Sequence, residues 1–183
     1  MKRMPSRYQP LAVAAVAIVV LLLVGGGVLI VGRLGSSPGP TASPPPSGQA
    51  TRSTDPTSTP EGAVRAFFEA FGQASLTDDP GLVLPFVTSE NSPAYLSARG
   101  FLEGQEGLGR GAVITEQRFE DLSVDADETT ATVTFTYVEG GYLIDLESGE
   151  PLGSPTVLAP ARIVAEVRLA GSKWLVHEYE SFL

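Results

Sequence analysis

Three patterns of hydrophobic and polar positions divide the chain. The first is unbroken: Leu11–Gly32 holds 22 consecutive small or apolar residues. About 20 such residues, rising 1.5 Å each in a helix, cross the hydrocarbon core of a bilayer. Lys2, Arg3 and Arg7 precede the run and only Arg33 follows it closely. The positive-inside bias then predicts a single-pass signal anchor, with residues 1–10 in the cytoplasm and the rest extracytoplasmic. A cleaved signal peptide is the alternative. Leu11–Val24 has the length of its apolar region and Gly25-Gly26-Gly27 supplies small residues, but Val28–Val31 resumes the apolar run beyond them.

The second pattern is the lack of one. Residues 33–58 read as a Pro/Ser/Thr-rich disordered linker, because so polar a stretch buries too little apolar surface to offset its ordering entropy. At about 3.1 Å per residue such a spacer reaches roughly 80 Å. Ser/Thr/Pro tracts are also the substrate of O-glycosylation, so a bare tether and a decorated one both fit.

The third pattern, over residues 59–183, is helical first and strand-like later. Thr59-Pro60-Glu61 combines a capping hydroxyl, a first-turn proline and a carboxylate at the positive helix end. Val64, Phe67, Phe68 and Phe71 follow at the spacing of one apolar face, predicting a helix over 60–74. Asp78-Asp79-Pro80 starts a short helical segment with Leu82, Val83 and Phe86 as its apolar positions. Ser92-Pro93 caps another helix, to about Gly104, that turns Tyr95, Ala98, Phe101 and Leu102 inward.

Period-two alternation takes over next. Ala112–Phe119 and Leu122–Val124 predict one irregular strand. Ala131, Val133, Phe135 and Tyr137 alternate with four threonines, as in a half-buried antiparallel strand. Gly140-Gly141 reads as an interruption, and Tyr142–Leu146 and Val157–Leu158 flank a hairpin loop. Ala161, Ile163, Ala165, Val167 and Leu169 alternate again, and Trp174 and Val176 lie on the closing strand. Helices in front and a meander behind predict an α+β domain with helices on one sheet face.

Charge and composition narrow the partners. Residues 61–183 carry seven basic and 20 acidic side chains, which argues against nucleic acid or an anionic lipid surface. The chain has no cysteine, so disulfides, thiolate nucleophiles, lipid-modified cysteine and cysteine metal sites are all out. No glycine-rich phosphate loop, HExxH or GxSxG is present.

The string Thr-Pro-Glu-Gly-Ala-Val-Arg-Ala-Phe-Phe-Glu-Ala at 59–70 resembles the opening of nuclear-transport-factor-2-like (NTF2-like, cystatin-like) domains. Thr130–Phe135 resembles their central strand, and Gly171–Val176 their closing "glycine, lysine, tryptophan, apolar" strand. The resemblance implies a cone, a curved sheet wrapped by helices, over all of 59–183. It also implies an extracytoplasmic setting behind a membrane anchor. It leaves function open, because the fold hosts enzymes, binding modules and spacers alike.

Candidate chemistry is sparse. The ketosteroid-isomerase-like branch of that fold uses a carboxylate base beside a tyrosine or protonated acid inside the cone. Tyr95, Tyr137, Glu139, Tyr142 and Asp145 are the groups that can line such a pocket here. His177 is the only histidine. Strand parity puts it with Leu175 and Tyr179, opposite Trp174 and Val176. Those three form a candidate interface, for another envelope protein or a second copy of this chain. Asp125, Asp127 and Glu128 lack a calcium-loop spacing and read as a solvated turn. No cofactor or metal is expected. The expected function is a membrane-anchored, non-catalytic interaction or ligand-binding module of the bacterial envelope, with a small-molecule enzyme as the alternative.

Overall fold

The computed structural model describes residues 55–183. The tail 1–10, the segment Leu11–Gly32 and the linker up to residue 54 lie outside the described residues. Among those described, no helix is long and apolar enough to cross a membrane.

The described fold includes residues ahead of the expected boundary at 59. The Asp55 carboxylate accepts from Thr57 N–H at 2.9 Å and from Thr57 Oγ1 at 2.6 Å, capping a 3-10 turn over Pro56–Ser58. Thr57 is buried, and Lys173 Nζ stands 3.4 Å from Asp55. Residues 55–58, read as linker from their composition, are therefore part of the domain.

Helix α1 spans Pro60–Thr77. Thr59 Oγ1 accepts from Gly62 N–H at 3.1 Å, satisfying one of the unpaired donors of the first turn. Val64, Phe67 and Phe68 are buried and Phe71 packs against the same core. A 3-10 segment follows over Pro80–Phe86. Val83 is buried there, but Leu82 is exposed, because a 3-10 turn brings round three residues where an α-helix brings 3.6. Helix α2, Pro93–Glu106, is capped by Ser92, and it buries Tyr95, Ala98 and Leu102.

Five antiparallel strands complete the domain: β1 (Arg110–Ala126), β2 (Thr130–Asp145), β3 (Thr156–Val157), β4 (Ala161–Ala170) and β5 (Lys173–Phe182). The order is β1-β2-β4-β5, with β3 beside the end of β2. Strand β1 is irregular as expected, with register shifts between Ile114 and Glu116 and between Glu120 and Ser123. Such bulges bend a strand and raise its twist, which curves the sheet around the helices. Gly140-Gly141 does not interrupt β2, which continues to Asp145. A side chain on Gly141 would collide with the Val113 carbonyl of β1, so glycine there permits close pairing and does not end the strand.

The sheet has two unlike faces. Ala131, Val133, Phe135, Tyr137, Ile163, Ala165 and Val167 are buried on the helix side, with Trp174 partly buried against them. The other face carries Thr130, Thr132, Arg118, Arg168 and Glu178, all exposed. Arg118 pairs there with Glu116 at 3.1 Å and Arg168 with Glu166 at 2.7 Å.

The closing strand overturns one expectation. Val167 pairs with Val176, but Glu166 pairs with Glu178, so His177 is an extra residue in a bulge. The bulge reverses the parity beyond it. Tyr179 is buried on the same face as Val176, and does not lie outside with Leu175 and His177. His177 Nδ1 shares a 2.9 Å hydrogen bond with Thr88 Oγ1, and Thr88 N–H donates to Val176 O at 3.0 Å. The candidate interface Leu175–His177–Tyr179 is thus divided between the core and a covered strand edge.

Candidate functional site

Aromatic rings occupy the space between α1 and the sheet. Phe68 is central, with ring centroids 4.9 Å from Tyr137, 5.2 Å from Phe67, 5.5 Å from Tyr179, 5.6 Å from Phe135 and 6.1 Å from Phe119. Most meet edge to face or tilted, the arrangements ring quadrupoles favour. The Arg65 guanidinium caps this cluster, 4.8 Å from the Phe119 centroid.

A line of polar groups runs along one side of the rings. Tyr137 and Glu139 share the helix-facing side of β2, and Phe119 and Gln117 sit opposite them on β1. Gln117 Nε2 has two hydrogens and uses both: one on Phe68 O at 3.0 Å, one on Tyr137 Oη at 2.8 Å. Tyr137 Oη in turn donates to Glu139 Oε2 at 2.7 Å. The chain Gln117→Tyr137→Glu139 therefore has one direction and ends on a carboxylate. Gly72 lies alongside. A methyl group there would come within 3.0 Å of Gln117 Nε2, tighter than ordinary contact, so glycine leaves this side chain its room.

Electrostatics follow from this burial. Desolvation raises the Glu139 carboxyl above its usual range, and the Tyr137 hydrogen bond pulls it partly back. The Tyr137 hydroxyl is held well above the ordinary phenol value by burial first and the charge of Glu139 second. Tyr179 is raised by the same two causes, and its buried hydroxyl has no hydrogen-bond partner among the described residues. Two valences are left over: the second oxygen of Glu139, and the Tyr179 hydroxyl that feels the Glu139 charge.

Of the five expected pocket residues, the structure brings two together, Tyr137 and Glu139. Tyr95 is buried at the start of α2 in the core cluster. Asp145 closes the turn after β2 instead. Its Oδ1 accepts from Glu147 N–H, Ser148 N–H and Ser148 Oγ, and these bonds lower its pKa. Tyr142 is half-buried, and Val113 faces it across the pair of strands. Asp125, Asp127 and Glu128 are exposed, as a solvated turn requires. Among the described residues no group of three His, Cys, Asp or Glu is arranged to hold a metal ion. Gln117 is missing from the sequence-derived set, and Tyr179 stands in it as an outward interface residue, not as a pocket residue. Pairing of Gln117-x-Phe119 against Tyr137-x-Glu139 is visible only once the register is known, and Tyr179 only once the bulge is.

No family model matches the chain, and no curated protein does. Solved structures do. The intermembrane space region of the chloroplast protein ARC6 matches over 67% of this chain and 92% of its own, at 19% identity and a TM-score of 0.52. A Novosphingobium aromaticivorans NTF2-like protein with a cystatin-like fold matches over 68% and 81%, at 12% identity and a TM-score of 0.43. A Nostoc punctiforme protein of unknown function, also described as cystatin-like, matches over 66% and 87%, at 11% identity and a TM-score of 0.41. The likeness is one of fold. The described domain has the helix-wrapped, curved-sheet cone that the sequence resemblance implied.

Proposed function

We propose that the domain is a non-catalytic ligand-binding module of the cell envelope, held outside the membrane by Leu11–Gly32 and the linker. Its ligand is a small, largely apolar molecule with a hydrogen-bond donor, received by the free oxygen of Glu139 beside the Tyr179 hydroxyl. The observation that carries this reading is the saturated chain Gln117→Tyr137→Glu139. Both hydrogens of Gln117 Nε2 and the Tyr137 hydroxyl are already committed, which leaves the second oxygen of Glu139 as the acceptor on offer. A few convergent polar groups on an aromatic wall are what a small-molecule site requires. The interaction branch is less favoured, because Leu175, His177 and Tyr179 do not share one outer face: Tyr179 is buried and His177 bonds to Thr88.

The enzyme alternative rests on one specific observation. A desolvated carboxylate with a raised pKa, beside an unpaired tyrosine hydroxyl, is the pairing a proton abstraction needs. Against it, the Tyr137 hydroxyl is spent on Glu139 itself and cannot stabilise a developing oxyanion.

Screening small amines, alcohols and aromatic amides against isotope-labelled protein tests the proposal. Binders should shift the amide signals of Gln117, Tyr137, Glu139 and Tyr179 together. Glu139→Gln should keep the folded spectrum and lose those shifts. Binders that leave all four signals unmoved, or bind Glu139→Gln as well as wild type, would refute the site.

A further inference from the structure

Asp78 ends α1 in a way that sets it apart from every other acid described. Its backbone is left-handed, φ 50° and ψ 34°, and its N–H bonds back to Ala74 O. Glycine or asparagine usually holds this place. The residue is 8% exposed, and both carboxylate oxygens are buried with no hydrogen-bond partner among the described residues. A buried carboxylate demands a partner, and this one lies at the negative end of a helix dipole. The last turn of α1 holds no basic residue to offset it.

The end of α2 repeats the problem nearby. Its last turn carries Gln105 and Glu106 and again no basic residue. The rings of Phe71 on α1 and Phe101 on α2 meet at 5.5 Å. Gly111, five residues past the end of α2, lies against the Ser75 and Leu76 carbonyls in the last turn of α1, which brings the two helix ends into one region. Gln105 Oε1 is likewise buried without a partner. Burial, and after it the charge of Glu106, push the Asp78 carboxyl up to about 6. None of the ion pairs among the described residues involves Asp78 or Glu106.

We propose that Asp78, Gln105 and Glu106 bind a calcium ion between the C-terminal ends of α1 and α2. The donor set is oxygen only, two carboxylates and one amide carbonyl, which selects a hard cation over zinc or copper. Calcium takes six to eight oxygens in a flexible shell, so water completes what three side chains begin. Magnesium demands a near-ideal octahedron and gives up its water reluctantly, so it fits poorly. Glu106 is exposed and opens the site to solvent, while Asp78 supplies the buried charge. The ion meets both unpaired groups and neutralises two negative helix ends at once. These residues are separate from those around Glu139, so either site can fail without the other.

Calorimetric titration of Ca²⁺ into the metal-free, full-length chain in mild detergent tests this, with thermal unfolding alongside. One ion should bind per chain, with a dissociation constant of about 10⁻⁴–10⁻³ M, and raise the unfolding midpoint. Mg²⁺ at the same concentration should raise it less. Asp78→Asn keeps the shape and the left-handed preference but not the charge. It should weaken Ca²⁺ binding at least about tenfold and unfold at a higher temperature than metal-free wild type. Glu106→Gln, on an exposed position, should weaken binding without loss of fold. Glu128→Gln, in the solvated turn, should bind as wild type does. No saturable heat and no midpoint shift in wild type would overturn the proposal. Equal binding by wild type and Asp78→Asn would do so too, as would equal loss in Glu128→Gln, which would mark diffuse attraction to an acidic surface.

Discussion

Glu139 and Asp78 are two acids withdrawn from water in one small domain, and they are treated in opposite ways. Glu139 sits inside a sheet, where the next residue on its face, Tyr137, donates a hydrogen bond at 2.7 Å, and Gln117 secures that donor in turn. Asp78 sits at a helix end, where the surrounding backbone offers carbonyls and no free donor, and its oxygens go unpaired. The difference lies in the neighbours each element can supply. A strand pair places side chains opposite one another and so can furnish a donor. A helix C-terminus presents only acceptors, and an acid there must find its counterpart in a proton or a cation. Glu139 thus has one oxygen to offer a ligand, whereas Asp78 has a deficit to fill.

Removing the wall behind Glu139 should disturb this contrast most. Phe68→Ala should destabilise the domain by about 3–5 kcal/mol, because Phe68 is buried and its ring meets five others. Urea unfolding measures it, and the effect should be the same with or without Ca²⁺. Next comes Tyr137→Phe, which turns Glu139 into a second unpartnered acid. It should cost about 1–3 kcal/mol, the penalty for a buried polar group left unsatisfied. The loss should shrink when Glu139→Gln is added, since that variant removes the stranded charge.

Acidity probes the same two environments more gently. The folded pKa of Glu139 is raised above its ordinary 4.5, so the unfolded chain ionises first. Stability contributed by the protonated form is full below about pH 4.5 and falls as pH rises through the folded value. Urea midpoints across pH 4–8 should therefore show wild type losing stability relative to Glu139→Gln on going upward, not downward. The smallest effect belongs to the open face: Thr134→Ala should change stability by less than about 0.5 kcal/mol. A loss matching that of Tyr137→Phe would put Thr134 on the wrong side of the sheet.

The parts of the fold encoded locally were readable in advance. Thr59-Pro60 and Ser92-Pro93 mark helix starts because capping needs only a hydroxyl and a few neighbours. The alternation of Ala131–Tyr137 with threonine marks β2 because one face is buried. What escaped depends on pairing across the chain. The bulge at His177 is set by how β5 meets β4, and it moved Tyr179 from the outer face to the core. Gly140-Gly141 reads as a break until the Val113 carbonyl is known to lie against it. Asp78-Asp79-Pro80 reads as one helix start, yet Asp79 caps the 3-10 segment while Asp78 closes α1. Half of the Glu139 site, Tyr137 and Glu139, could be named from residue types. Gln117 could not, because only the β1–β2 register places it opposite.

The proposed function requires Glu139 to be a receptor of ligands and not a base. Solvent deuterium incorporation measures that difference directly. Binders identified by the spectroscopic screen, chosen to carry an acidic C–H beside a carbonyl, are held with the protein in D₂O and followed by proton NMR. A receptor leaves exchange at the buffer rate, unchanged by Glu139→Gln, and this is the expected result. Exchange faster than buffer in wild type, lost in Glu139→Gln, would show Glu139 abstracting protons and would contradict the proposed role.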